Sequence, residues 1–496
     1  MKLSVAVSLE FKDFAGATVT DKESGIINGY IDKSKGKPVL TQRPSINISE
    51  VATVARGRAI YYWDLTDVFY ILNDDTIYKT TYASPIATTI ASGIERCTFF
   101  QLNSLLVLMD VADNKGYTLD AADTLIQIGG FFPASLAHGG AILDGYFFVM
   151  DRNGVIWNSD LNDASTFSPG NSIDTEREED SGIYLGKHHD HLLALGERTC
   201  EFFYDNGNPT NSPLNRREDV SYRIGCIDGN SIWEEGDITI FLGTELSSGI
   251  SIYAVENFKI RIISNSPMDA MLTQALIRDK YRTVASGFTS QGHKFYFLTL
   301  YIESGDVQPE VTYVYDFQSG LWYNWTATID GLMGFPVMDF TLRGGLSTTV
   351  GAGVFTNGDT FFVNHSYVPR DTIGASTYFV DGYIDDGYFT TISAVGVTYP
   401  MTVRLGQFDG DSNNNKFMTY LRPAMNKTAT NNPIDFYWSD DNNDNFVFGG
   451  TIDPSYQFNN IQRCGRFFRR NIELRHESAE QVFIEAVEAK IKMGTV

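Results

Sequence analysis

The chain has 496 residues, with 38 lysines and arginines against 61 aspartates and glutamates, a net charge of −23. That balance excludes a global basic surface for gripping nucleic-acid phosphates. Charged residues make up only 20% of the chain, and 26 Tyr, 34 Phe and 44 Gly favour pleated strands and tight turns over long helices, so composition points to an all-β protein.

The N-terminal MKLSVAVSLEF alternates Leu3, Val5, Val7, Leu9 and Phe11 with polar or small residues. A signal peptide needs a continuous apolar run, so this segment reads as a strand. A Lys- and Gly-containing stretch, KSKGKP, follows and leads to Arg43-Pro44; residues 1–44 are expected to be a strand and an extended arm.

From there a hairpin unit recurs. Its apolar strands start at Phe69, Leu105, Phe147, Leu192, Ile238 and Tyr296, at intervals of 36, 42, 45, 46 and 58 residues. The stretch YFFVMDRNGVIWNSDLNDASTF (146–167) shows the unit at its clearest: a buried strand, a turn at Arg152-Asn153-Gly154, a second strand ending at Trp157, then a polar tail. Most of the intervals fall near the roughly 40 to 50 residues of a four-stranded propeller blade. One such unit cannot bury its apolar face alone, and radial packing solves that. The expected architecture is a β-propeller of about six blades over 45–375, with GDTFFVN near Phe361 either starting a seventh or completing the sixth.

Beyond residue 375 polar loops such as GDSNNN and KTATNNP separate the strands, and 376–496 are expected to form a β-sandwich-like module. Its last segment, HESAEQVFIEAVEAKIKM, has helical propensity but near-alternating apolar residues. No segment reaches the roughly 18 uninterrupted apolar residues of a membrane span.

Candidate sites are few. Cys97, Cys200, Cys226 and Cys464 are far apart with no CxxC pair, which suits free thiols made in a reducing cytosol. His188, His189 and His191 would be split between two strand faces, a poor metal geometry, so a turn or strand start is expected. GDSNNN places Asp409, Asp411 and Asn413 like a calcium loop, but the sixth position lacks Gly and the twelfth is Tyr420, so a polar hairpin is expected. Neither metal nor cofactor is expected. A sialidase-like or glycan-binding propeller is the catalytic alternative, yet no repeated Asp-box pattern or nucleophile constellation stands out of the acidic background. The one basic concentration is Arg463, Arg466, Arg469, Arg470 and Arg475. Alternation along a strand denies these residues a single phosphate groove. The first four are therefore expected at a subunit interface, facing acidic loops such as 174–180.

FYWSDDNNDNFVFGGTID and YQFNNIQRCGRFFRRNIELRHES resemble the C-terminal segment of the packaged-DNA stabilisation, or tail hub (nozzle), proteins of short-tailed bacteriophages. Ser439, Asp440, Asp441, Gly465 and Arg466 or Arg469 fit that pattern, with Asn442-Asn443 where the family has glycines and Phe446 for its aromatic residue. VLTQRPSI, VIWNSDLNDASTF, HHDHLLALGERTCEFFYDNGN and FLGTELSSGISIYAVENFKIRIIS agree with it in order. The resemblance implies a non-enzymatic virion tail protein, assembled in the host cytoplasm as a homo-oligomeric ring of six. It would lie below the portal and adaptor proteins, close the channel after packaging and carry spikes, fibres or a needle. Double-stranded DNA would pass without sequence-specific binding, and no small-molecule substrate is implied. It also favours paired strands over a helix for 480–493.

Overall fold

The computed structural model describes residues 5–8 and most of 25–494. The stretches of five or more residues outside the description within that span are 50–56, 82–87, 303–307, 327–336, 344–349, 365–369 and 380–388, and only backbone is described for the strands within 45–57, 301–310 and 327–399.

Seven sheets follow one another along the chain, at 57–92, 97–127, 141–174, 182–222, 224–262, 281–324 and 337–364. Each of the six hairpin starts read from the sequence lies on a strand of its own sheet, among them Leu105–Asp110, Tyr146–Met150 and His191–Gly196. These strands are buried on both faces, which explains their uninterrupted apolar runs. Because successive side chains point to opposite faces, each strand feeds two cores. Leu106 and Leu108 pack with Trp63 and Tyr70 of the first sheet, while Val107 and Met109 pack with Phe147 and Val149 of the third. Phe148 and Met150 join Leu192 and Ala194 of the fourth sheet, whereas Leu193 and Leu195 join Phe241 and Tyr253 of the fifth.

The sheets close into a ring, the arrangement of a β-propeller. Gly57–Trp63 lies against Cys97–Leu102, which meets Ala141–Leu143, which meets Gly182–His188. The fourth sheet meets the fifth through His191–Gly196 and Ile224–Cys226, and Trp233–Glu235 meets Tyr281–Ser290. That strand meets Val337–Arg343, which returns to Gly57–Trp63. Where hairpin spacing suggests about six units, the described sheets that follow one another around the ring number seven. The seventh escapes periodicity because it is built from two distant segments: Thr360–Asn364 pairs antiparallel with Ser45–Ser49, in the register Phe362↔Asn47. GDTFFVN therefore reaches into this seventh sheet, which also takes in Arg370–Ile373 and Gly396–Thr398.

The N-terminal residues are woven into the C-terminal ones. Gly25–Ile27 extends the sixth sheet, pairing parallel with Leu321–Asn324 and antiparallel with Met401–Arg404. The sheet continues through Asn471–His476 and Ile434–Ser439 to Val447–Ile452, nine strands in all. A second sheet combines Gly29–Asp32, Val39–Gln42, Lys416–Met425 and Ile484–Met493, with Val5–Ser8 paired to the last of these. One core joins the two sheets, with Ile26, Val403, Phe436 and Leu474 from the first against Ile31, Leu40, Leu421 and Val487 from the second. The final segment is thus a strand, as the resemblance implies.

Arg43 pins the point where the chain passes from these sheets into the ring. Almost fully buried, it donates from Nε to Asn28 Oδ1 (3.2 Å) and from Nη2 to the Thr326 carbonyl (3.3 Å). Asn28, at φ 57, donates from Nδ2 to Thr326 Oγ1 (2.8 Å) and to the Pro400 carbonyl (3.0 Å). A buried guanidinium needs such acceptors, and here Asn28 and Thr326 supply them together with the adjacent Pro44 carbonyl (3.0 Å). One α-helix is described, Ser266–Ile277, with Pro267 in its first turn and the Asn265 side chain accepting the Met268 N–H (3.0 Å). No helix among the described residues is long and apolar enough to cross a membrane.

Candidate functional site

The five arginines of the C-terminal concentration separate by burial. Arg470 points inward: Nε and Nη2 donate to Asp440 Oδ1 and Oδ2 at 2.7 Å each, Nη1 donates to the Cys464 carbonyl, and the guanidinium lies 4.9 Å from the Trp438 ring and 4.4 Å from that of Phe467. This two-pronged pairing, stacked between aromatics, is the geometry Arg provides and Lys does not. Arg470 is 2% exposed, and its charge is paired inside its own chain. Arg475 is also engaged, since it and Arg404 donate from Nε to the two oxygens of the fully buried Glu473 carboxylate.

The loop after Asp440 is tied down by Asp441. Asp441 Oδ1 accepts from Ser439 Oγ (2.6 Å) and from the Asn445 N–H (3.0 Å), and these bonds hold its pKa down at about 2. Asn442 and Asn443 have φ of 60 and 71, left-handed values that Asn tolerates, which explains how they stand where the resembled family has glycines.

Arg463, Arg466 and Arg469 are exposed. Arg466 pairs across from Phe417, and Phe417 across from Lys492, so two cations flank one aromatic ring in adjacent strands. Phe417 is 44% exposed, and Phe468 and Met493 nearby are 54% and 45% exposed. An apolar surface with cationic borders on a chain of net charge −23 is suited to an acidic or self-derived partner. The acidic loop named as a partner lies largely outside the described residues, at 176–179; Asp180 within it accepts from the Arg198 and Thr199 N–H groups (2.8 and 2.9 Å).

The axis of the ring holds a cavity of about 370 Å³ lined by Arg58, Tyr61, Thr98, His138, Tyr184 and Asn230, among others.

The remaining candidates resolve locally. His188 and His191 end the paired strands of a hairpin, with His189 at φ 54 in its turn. Among the described residues no group of three or more His, Cys, Asp or Glu is placed to hold a metal ion. Residues 410–413 of GDSNNN lie outside the described residues. All four cysteines are free and buried. In the 146–167 stretch, Asp151 Oδ1 accepts the Asn153 and Val155 N–H groups (2.8 and 3.0 Å) and Gly154 takes φ 83, so the turn is set by an Asp side chain and a glycine.

A family model described as Bacteriophage P22 Gp10, beta-propeller, matches residues 18–346. No curated protein matches the sequence. Among solved structures, the extracellular domain of the hybrid two component system BT4673 from B. thetaiotaomicron aligns at 10% identity and TM-score 0.44, over 66% of this chain and only 40% of that one. Virginiamycin B lyase from Staphylococcus aureus aligns at 9% identity and TM-score 0.42, over 64% of this chain and 96% of its own. The Pan2 WD40 domain of Neurospora crassa aligns at 10% identity and TM-score 0.41, over 62% and 88%. The family match covers more than half of the chain and coincides with most of the ring of sheets: the protein belongs to the phage DNA-stabilisation family of Bacteriophage P22 Gp10, a family of structural β-propeller proteins of the virion.

Proposed function

We propose that the chain is a non-enzymatic subunit of the tail hub of a short-tailed phage. Six copies form a ring below the portal and adaptor, close the DNA channel after packaging, conduct DNA at ejection and carry the tail appendages. Membership of the phage-stabilisation family is the observation that carries this reading.

In this proposal residues 45–375 are the propeller, with seven blades, the seventh closed by Ser45–Ser49. Residues 376–496 form the sandwich-like module together with strands contributed by residues 1–44. Arg463, Arg466 and Arg469, beside Phe417 and Phe468, form the subunit contact. Their exposure and the acidity of the rest of the chain support that assignment. Opposite charges across such a contact set register and speed association more than they add affinity.

Native mass measurement of the purified protein, alone and with extracts of infected cells, tests the reading. Hexamers or their assembly intermediates are expected. A monomer under every condition, with turnover of sialosides or bacterial surface glycans that one Asp, Glu or Tyr substitution abolishes, would replace it with the glycan-processing alternative.

A further inference from the structure

We propose that the seam between the fourth and fifth sheets is a proton-gated joint of the ring, shut only around an uncharged Glu234 carboxyl and an uncharged His188 imidazole. The middle of this seam is apolar, with Leu193, Leu195 and Phe202 packed on Cys226, Phe241, Tyr253 and Val255. Backbones also touch there: a Cβ on Gly225 would lie 2.0 Å from the Glu197 carbonyl. Two ionisable groups border this apolar packing, both against the Gly182–His188 strand.

Glu234, on the Trp233–Glu235 strand of the fifth sheet, rests on Gly186 of the fourth. A Cβ at Gly186 would fall 1.6 Å from Glu234 Oε1, so the absence of a side chain at 186 is what makes room for the carboxyl. That oxygen is buried with no hydrogen-bond partner. Burial pushes the Glu234 pKa up to about 8, against the opposing pull of the Lys187 N–H and the Tyr184 hydroxyl. Lys187 offers only its backbone here, its side chain being exposed, and Arg58 and His138 line the axial cavity alongside Tyr184. The groups acting on the carboxyl include no cationic side chain.

His188 follows two residues after Gly186 along the same strand. It is fully buried; Nε2 accepts the Phe258 N–H of the fifth sheet (3.2 Å), and Nδ1 has no hydrogen-bond partner. Phe258 sits in a turn with φ of 60, a left-handed value that is uncommon for an aromatic residue. It is ringed by His188, His189 and His191 at centroid distances of 5.0, 5.4 and 4.8 Å, with the Arg217 guanidinium 4.2 Å away. Burial first, then His189 and His191, push His188 down to about 4, with Asp237 opposing. His191 is lowered by burial and then by Arg217, with Asp190 and Asp219 opposing. His189 Nδ1 lies 3.0 Å from Asp237 Oδ1. A proton on His188 Nε2 removes the acceptor that the Phe258 N–H needs.

The two groups titrate with opposite signs. An opened seam returns Glu234 to its ordinary value near 4.3 and His188 to about 6.5. Glu234, raised when shut, favours opening progressively as pH rises from about 4.3 to about 8. His188, lowered when shut, favours opening as pH falls from about 6.5 to about 4. Their effects oppose each other in the overlap. Above about 6.5 Glu234 acts alone, and opening should rise by up to about tenfold per pH unit, levelling off toward about 8.

Native-state hydrogen exchange of the full chain, corrected for intrinsic exchange and referred to the second sheet (97–127), tests this. Amides of 191–196 and 224–226 should lose about fivefold in protection between pH 7 and 8. Glu234→Gln should abolish that loss and expose an opposite loss toward pH 5, whereas His188→Gln should extend the alkaline loss down to pH 5. Constant relative protection from pH 5 to 9 in the unsubstituted protein overturns the proposal even if a variant fails to fold, and so does an alkaline loss that persists in Glu234→Gln.

Discussion

Arg470 and Asp440 meet just beyond the paired ends, Ser439 and Asn471, of two strands of the nine-stranded sheet and share two hydrogen bonds of 2.7 Å, one to each carboxylate oxygen. The guanidinium is buried and the carboxylate partly open to solvent. Removing either partner therefore has unequal consequences. Arg470→Ala discards the pair, the Cys464 contact and the packing on Trp438 and Phe467, and should cost about 3 kcal/mol. Arg470→Lys should rescue little of it, since a point charge cannot reproduce two parallel bonds. Urea unfolding followed by tryptophan fluorescence measures both. A loss below about 0.5 kcal/mol, typical of a neutral surface site, would contradict the reading of Arg470 as a structural residue.

The exposed arginines should behave in the opposite way. Arg466→Glu with Arg469→Glu should leave the unfolding midpoint within about 0.5 kcal/mol of the parent yet prevent incorporation into particles. Arg470 must be kept in this variant, because its loss would confuse instability with failed assembly. Normal incorporation of the double variant would remove these residues from the proposed contact.

Closure of the ring gives a third expectation. Asn47 lies in the strand that joins Thr360–Asn364 to Arg370–Ile373, so a proline there removes a ladder donor in the interior of a sheet. Asn47→Pro should cost about 3 kcal/mol and make the seventh sheet the first site of proteolytic cleavage. A parent-like cleavage pattern would show that the ring does not depend on this strand.

Much of this fold could be read from the residues, and the failures have identifiable causes. Runs such as Leu105–Asp110 announce strands buried on both faces, and all six hairpin starts fall on separate sheets. The seventh sheet was hidden because Ser45–Ser49 and Thr360–Asn364 meet only in three dimensions. The last strand looked helical for a local reason. Its register shifts between Ala424 and Met425, which pair with Ala486 and Ile484, so Glu485 is skipped and burial passes from Ile484 to Val487 before alternating through Ala489 and Ile491. That three-residue step imitates a helix. Among the arginines, alternation alone could not separate Arg470 from Arg466, which it places on the same face. The signal was Asp440, thirty residues upstream, and pairing across a sheet leaves no mark in local spacing. Glu234 passed unnoticed because its burial depends on Gly186 in a neighbouring sheet.

Acidity sets a fourth expectation. With a net charge of −23, the lumen of an assembled ring should present carboxylates that keep DNA centred by repulsion. Filter binding of duplex DNA across a salt series should show weak binding with a shallow slope. Sub-micromolar binding that falls steeply with salt, and is lost on neutralising Arg463, Arg466 and Arg469, would identify a DNA clamp instead.

Electron cryo-microscopy of the phage particle that carries this protein tests the proposed role most directly. The account predicts six copies in a ring below the portal and adaptor, each a seven-bladed propeller, with Arg463, Arg466 and Arg469 at the contact between neighbours and DNA passing through the ring and not through any propeller axis. A particle whose tail lacks this chain, or holds it as separate monomers on the appendages, would contradict it.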